Sequence, residues 1–210
     1  MENLLSILFC LSLFYISITP RIKAYVAVLQ TQGLILTVLV ILPFIDNFSI
    51  FGIILPVTLL IVKVILIPRY INKIILDLDI KRIIEPTIQQ IVFLLLVIAT
   101  MIIIFLTSSV IAQNTEFEII PFASGFSAIA IGIYIIIFRK KLIVHVCGFL
   151  VLENGIFLFG TAVASELPVM IELGVLLDVF VVVFLMGIAL NRIRSTFEGF
   201  EVTHLGRLKD

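Results

Sequence analysis

Apolar stretches of about 20 residues, long enough to cross a bilayer as a helix, follow one another along nearly the whole chain. Seven fall at approximately 3–19, 24–45, 50–67, 88–111, 120–138, 142–164 and 168–190. In hydrocarbon every backbone N–H and C=O needs a protein partner, which a helix supplies from its own chain. The pattern therefore predicts an all-α membrane protein, a seven-transmembrane helix bundle in a single integral membrane domain over 1–210. Composition agrees, with 62% hydrophobic and 13% charged residues against roughly 45–50% and 25% in soluble domains, and a mean hydropathy of +1.32. A water-soluble enzyme domain is excluded. Lys plus Arg and Asp plus Glu both number 14, so there is no basic excess to suit nucleic acid. The first stretch reads as retained rather than cleaved, because Met1-Glu2-Asn3 is no basic n-region and no small-residue cleavage site precedes Pro20.

Charge placement tests the span count independently of hydropathy. Arg21 and Lys23 lie in 20–23; Arg69, Lys73, Lys81 and Arg82 in 68–87; Arg139, Lys140 and Lys141 in 139–141; Arg192, Arg194, Arg207 and Lys209 in the tail 191–210. With seven spans all four segments fall on one side, while the other side carries acids, Asp46, Glu116, Glu118 and Glu166 among them, and no Lys or Arg. The positive-inside rule then puts the N-terminus outside and the C-terminus in the cytoplasm of a multi-pass protein of the cell inner (plasma) membrane. Segment 69–85 interleaves charges with Ile and Leu at helical spacing and reads as an amphipathic helix at the cytoplasmic interface, either a connector or a docking helix. Pro43, Pro56 and Pro68 mark helix ends or kinks.

The polar groups inside spans are the candidate functional residues. Lys63, the remaining basic residue, lies near the cytoplasmic end of span three. It could snorkel to the headgroups or act within the membrane, with Gln30 and Gln32 at similar depth on span two as partners. Glu153 sits near mid-membrane in span six, where a carboxylate costs on the order of 2.5–3.5 kcal/mol even on lenient insertion scales. Protonation would lower that cost, and a carboxyl that changes protonation state is what a proton relay requires. Glu172 and Asp178 in span seven place two further acids on an antiparallel hairpin with span six, with Asn154 adjacent and Gly155, Gly160 and Gly174 permitting close approach. Two readings stand here: acids that only bond neighbouring helices, and acids that handle protons or ions. His145, near the cytoplasmic start of span six, is either structural or an accessory proton donor. A weak echo links Tyr25 to Gly33 with Cys147 to Gly155, each placing an amide or acid pair before Gly, as chance similarity between apolar helices also does.

Catalytic, cofactor-binding and metal residues are not signalled. Cys10 and Cys147 stand alone in apolar runs, and there is no Walker, dinucleotide, G-x-S-x-G or H-E-x-x-H pattern.

The runs Gly148-Phe-Leu-Val-Leu-Glu-Asn-Gly155 and Glu172-Leu-Gly-Val-Leu-Leu-Asp178 resemble the component E family of hydrogenase-4, a membrane subunit of formate-hydrogenlyase-type group 4 NiFe hydrogenases. The likeness extends to Thr58-Leu-Leu-Ile-Val-Lys-Val-Ile-Leu-Ile-Pro68 and to Leu205-Gly-Arg-Leu-Lys209, and the last three spans also resemble the complex I K subunit and the Mrp antiporter C subunit. What the resemblance implies is a noncatalytic, cofactor-free subunit of a complex-I-like oxidoreductase. Its partners would be antiporter-like large membrane subunits and a NiFe hydrogenase module, within membrane lipid. Glu153 and Glu172 would take the places of the K subunit's two embedded glutamates, in a proton or sodium path with Asp178 and Lys63. The alternatives are a scaffold subunit of the same kind of complex, a subunit of an Mrp-like cation/proton antiporter, and an independent small transporter.

Overall fold

The computed structural model describes residues 1–42, 50–77, 87–112, 118–163 and 187. They form helices α1 (Glu2–Ile18), α2 (Ile22–Ile41), α3 (Ile50–Leu59), a π-helical segment (Leu60–Leu66), α4 (Ile67–Asp77), α5 (Gln90–Ile111), α6 (Ile119–Phe138) and α7 (Leu142–Val163), with no strand among the described residues. The protein is all-α, and α2, α5, α6 and α7 are each long and apolar enough to cross a membrane. Helix α1 is apolar and shorter, at 17 residues. Expected spans one, two, five, six and the fourth, 88–111, coincide with helices to within a few residues. The expected seventh span, 168–190, and the tail 191–210 lie outside the described residues, apart from Gly187.

One boundary differs from expectation. The pattern predicts a span ending at 67 and a separate interfacial helix from 69, whereas the backbone stays helical from Ile50 through Asp77. Pro68 is the second residue of α4, and having no N–H it leaves the carbonyls one turn behind it short of a donor. The side chain of Gln30 on α2 supplies one, its Nε2 donating to the Val64 carbonyl at 3.2 Å. Helix α4 then buries Ile67, Ile71, Ile74 and Ile75 and leaves Arg69 and Lys73 exposed, so its apolar stripe covers α2 and the chain passes on without a break. Residues 78–85 of the expected interfacial helix lie outside the described residues.

Helices α6 and α7 form the tightest pair, antiparallel across the Arg139–Lys141 turn. A Cβ on Gly132 would stand 2.7 Å from the Gly148 carbonyl, and one on Gly155 would stand 2.7 Å from the Gly125 carbonyl. Only hydrogens fit there, so the two backbones touch, the arrangement that replaces hydrophobic driving force between helices in lipid. Gly155, read from sequence as a contact between spans six and seven, thus packs against α6. Helix α5 faces inward with Phe93, Val97, Met101, Ile104 and Ser108, and outward with Leu95, Ile102, Leu106 and Val110.

Five helix ends meet at one end of the bundle. Gln90, starting α5, donates to the carbonyl of Ser17, near the end of α1; Arg139, closing α6, donates to Gln90 at 3.1 Å; His145, in the first turn of α7, bonds the Arg139 carbonyl. Helix α2 begins three residues after α1 stops. Arg139, counted in sequence as a loop cation, is only 2% exposed and lies 4.6 Å above the Phe93 ring. The short polar connector 139–141 brings its first residue inside because amide and aromatic partners already wait there.

Candidate functional site

Lys63 is carried by the π-helical segment, where hydrogen bonds skip five residues: the Ile67 N–H reaches the Val62 carbonyl. The wider turn locally re-aims side chains, and such segments concentrate at functional positions. Facing it on α2 is Gly33, where an added Cβ would come within 3.1 Å of Lys63 Cβ, so glycine lets the π turn lie close against α2. Directed inward from this position, the Lys63 ammonium meets Glu153 on α7 with Nζ to Oε1 at 2.6 Å. The two side chains are 3% and 2% exposed. Snorkelling therefore does not describe Lys63, whose charge points into the bundle.

The pair continues as a one-way chain of hydrogen bonds. Lys63 Nζ donates to Asn154 Oδ1 at 3.1 Å, Asn154 Nδ2 to Gln32 Oε1 at 3.1 Å, Gln32 Nε2 to Ser12 Oγ at 3.0 Å, and Ser12 to the Phe9 carbonyl at 2.6 Å. An ammonium only donates, so Asn154 must turn its oxygen toward Lys63, and every later amide is oriented in consequence. The amide oxygens therefore all point along the chain toward the Lys63 end. Amides do not titrate, so the groups of this chain able to exchange a proton are Lys63 and Glu153.

Four of the residues singled out by sequence, Lys63, Glu153, Asn154 and Gln32, are thus in direct contact. Gln30 is one step away, at the carbonyl of Val64 beside Lys63. His145 is apart: its Nε2 donates to the Arg139 carbonyl, and eight residues of α7 put it about 12 Å from Glu153 along the axis. It ties the α6–α7 turn. Glu172 and Asp178 lie outside the described residues. Ser12, whose hydroxyl ends the chain, carries no mark in the sequence beyond the short 19–21 link that sets α1 beside α2. The echoing segments prove to be neighbours, Gln32 bonding Asn154. Among the described residues no three of His, Cys, Asp and Glu gather to hold a metal.

No family model matches the chain, and no solved structure matches it. Over 87 residues it is 29% identical to the uncharacterized protein Rv0085 of Mycobacterium tuberculosis. That similarity covers 41% of this chain and 40% of the length of the relative.

Proposed function

We propose that the chain is a noncatalytic membrane subunit of a complex-I-like oxidoreductase of the hydrogenase-4 type, contributing a buried charge pair to proton or sodium translocation. The reading has seven spans, the N-terminus outside and the C-terminus in the cytoplasm of the inner membrane, with antiporter-like subunits and a NiFe hydrogenase module as partners. The observation that carries it is the Lys63–Glu153 pair, two ionisable groups joined at 2.6 Å inside a bundle of apolar helices. Ionisable residues at such depth are expensive and mark ion or proton paths when they are kept. Glu172 and Asp178 extend the same path along the neighbouring span in this reading.

A scaffold role has one observation in its favour. The polar chain from Glu153 to Ser12 ties α7, the π segment, α2 and α1, so it also serves as glue. Glu153→Gln separates the two, because Gln keeps an acceptor for Lys63 and removes the titrating group. The relay reading expects an assembled complex whose ion movement is uncoupled from turnover; intact coupling in the assembled variant supports the scaffold. Mild-detergent purification of the tagged chain with mass spectrometry of its companions tests the partners. Recovery of the chain alone overturns the subunit reading and leaves a stand-alone transporter.

A further inference from the structure

Among the grooves on the described surface are two whose linings differ in kind. One, between α1 and α5, is walled by Ile7, Leu11, Phe14, Met101, Ile102 and Phe105. It suits hydrocarbon. The other, between α2 and α4, is lined by Lys23 and Asn72, then Val26, Ala27, Ile75 and Leu76, and by Gln30. Its volume is about 280 Å³, where a water in the liquid takes roughly 30 Å³. Lys23 lies at the basic end of the bundle, and Gln30 is seven residues, about two turns, further in. Gln30 is half-buried and bonds the carbonyl of Val64, next in sequence to Lys63.

We propose that the α2–α4 groove is an aqueous access path from the basic end of the bundle to the buried Lys63–Glu153 pair, with Gln30 at its inner limit. The proposal rests on the relay reading of that pair for its purpose, and on the groove's own lining for its content. A groove with an ammonium and two amides offers water the several partners it needs, while an apolar groove stays dry. Proline at 68 is part of the device. Because it cannot donate, Gln30 is held by a backbone carbonyl at the π segment and stays at the groove's inner end. One polar side chain then stands between the groove and the lysine-bearing turn.

Thiol labelling reads hydration directly, since maleimide reacts with a thiolate and a thiolate forms only where water reaches it. Lys23→Cys, Ala27→Cys, Gln30→Cys and Asn72→Cys are made in the full chain carrying Cys10→Ala and Cys147→Ala. They are treated with a membrane-impermeant maleimide in inside-out and right-side-out vesicles of the native membrane, and total thiol is counted after SDS unfolding. Leu95→Cys is the depth-matched control. It lies five residues into α5 as Ala27 lies five into α2 from the same end, and it is 60% exposed on an apolar face.

The expected result is labelling of Lys23→Cys, Asn72→Cys and Ala27→Cys from one side of the membrane, with Gln30→Cys slower. Ala27→Cys should react about tenfold or more faster than Leu95→Cys, the gap a wet and a lipid-facing thiol would show. Labelling confined to Lys23→Cys, or equal rates at Ala27→Cys and Leu95→Cys, overturns the proposal, because lipid or a neighbouring subunit then seals the groove. The readout needs no turnover. A wet groove with coupling intact in Glu153→Gln therefore refutes the relay and leaves the access path standing, and a dry groove with coupling lost does the reverse.

Discussion

Lys63 and Glu153 stabilise one another mainly by cancelling what each would suffer alone. Removing two charges from water is unfavourable, and a well-packed apolar pair often does as well or better. Deleting one partner is another matter, since the survivor stays buried and charged. Glu153→Leu should destabilise the protein by about 3–5 kcal/mol, and adding Lys63→Met should restore most of that loss. Thermal unfolding of the parent protein and the two variants in one detergent measures it. A double variant no more stable than Glu153→Leu would show that the pair is not what its geometry indicates. Lys63 and Glu153 each stand out in the sequence, but their pairing does not, and neither does the hydroxyl that ends the chain. A charge in a span announces itself through composition, whereas Ser12 is an ordinary residue made important by what α2 brings to it.

At the scale of elements, glycine and proline decide how closely helices approach. Gly33 and Gly132 both face a neighbouring helix, yet they differ in what a methyl group would strike. At Gly33 it meets the Lys63 side chain at 3.1 Å, while at Gly132 it meets the Gly148 backbone carbonyl at 2.7 Å. A shift of a few tenths of an ångström relieves the first contact, whereas the second is closer than Cβ atoms come and is relieved only by moving one helix backbone off the other. Gly132→Ala should therefore reduce the yield of monodisperse protein in detergent chromatography far more than Gly33→Ala does. The π segment carries a second expectation. Gln30→Leu leaves the Val64 carbonyl short of its donor, a loss of about 1–3 kcal/mol for a buried acceptor. Pro68→Ala returns an N–H to the same turn, so the double variant should be more stable than Gln30→Leu alone in the same melting experiment. Additive effects would mean that the two donors do not serve one acceptor.

For the whole molecule, the described helices sort their charged connectors by side. Arg21, Lys23, Arg139, Lys140 and Lys141 gather at the end where α1, α2, α5, α6 and α7 meet, and Ala112 and Glu118, which flank the end of α5 and the start of α6, are at the opposite end. Segregation of this kind sets orientation by the Lys and Arg bias. Lys140→Cys and Lys23→Cys should label from the cytoplasmic side of native vesicles, and Glu118→Cys from the other. Labelling of Lys140→Cys and Glu118→Cys from the same side would overturn the arrangement.

Hydropathy and charge alone determine that this chain is helical, that its helices suit a membrane, and which residues stand out of place within them. All three follow from local physics: a bilayer demands runs of apolar residues with internal hydrogen bonds, and it makes every buried charge conspicuous. Sequence did not determine that the helix passes through Pro68, that Arg139 is buried on Phe93, that Gly155 meets α6, or that Lys63 reaches Glu153 through a π turn. Each depends on a partner far away in the chain, Gln30 for Val64, Gln90 for Arg139, Gly125 for Gly155 and α7 for Lys63. Those partners come within hydrogen-bond or van der Waals distance only once the helices have packed, so tertiary structure alone could decide them.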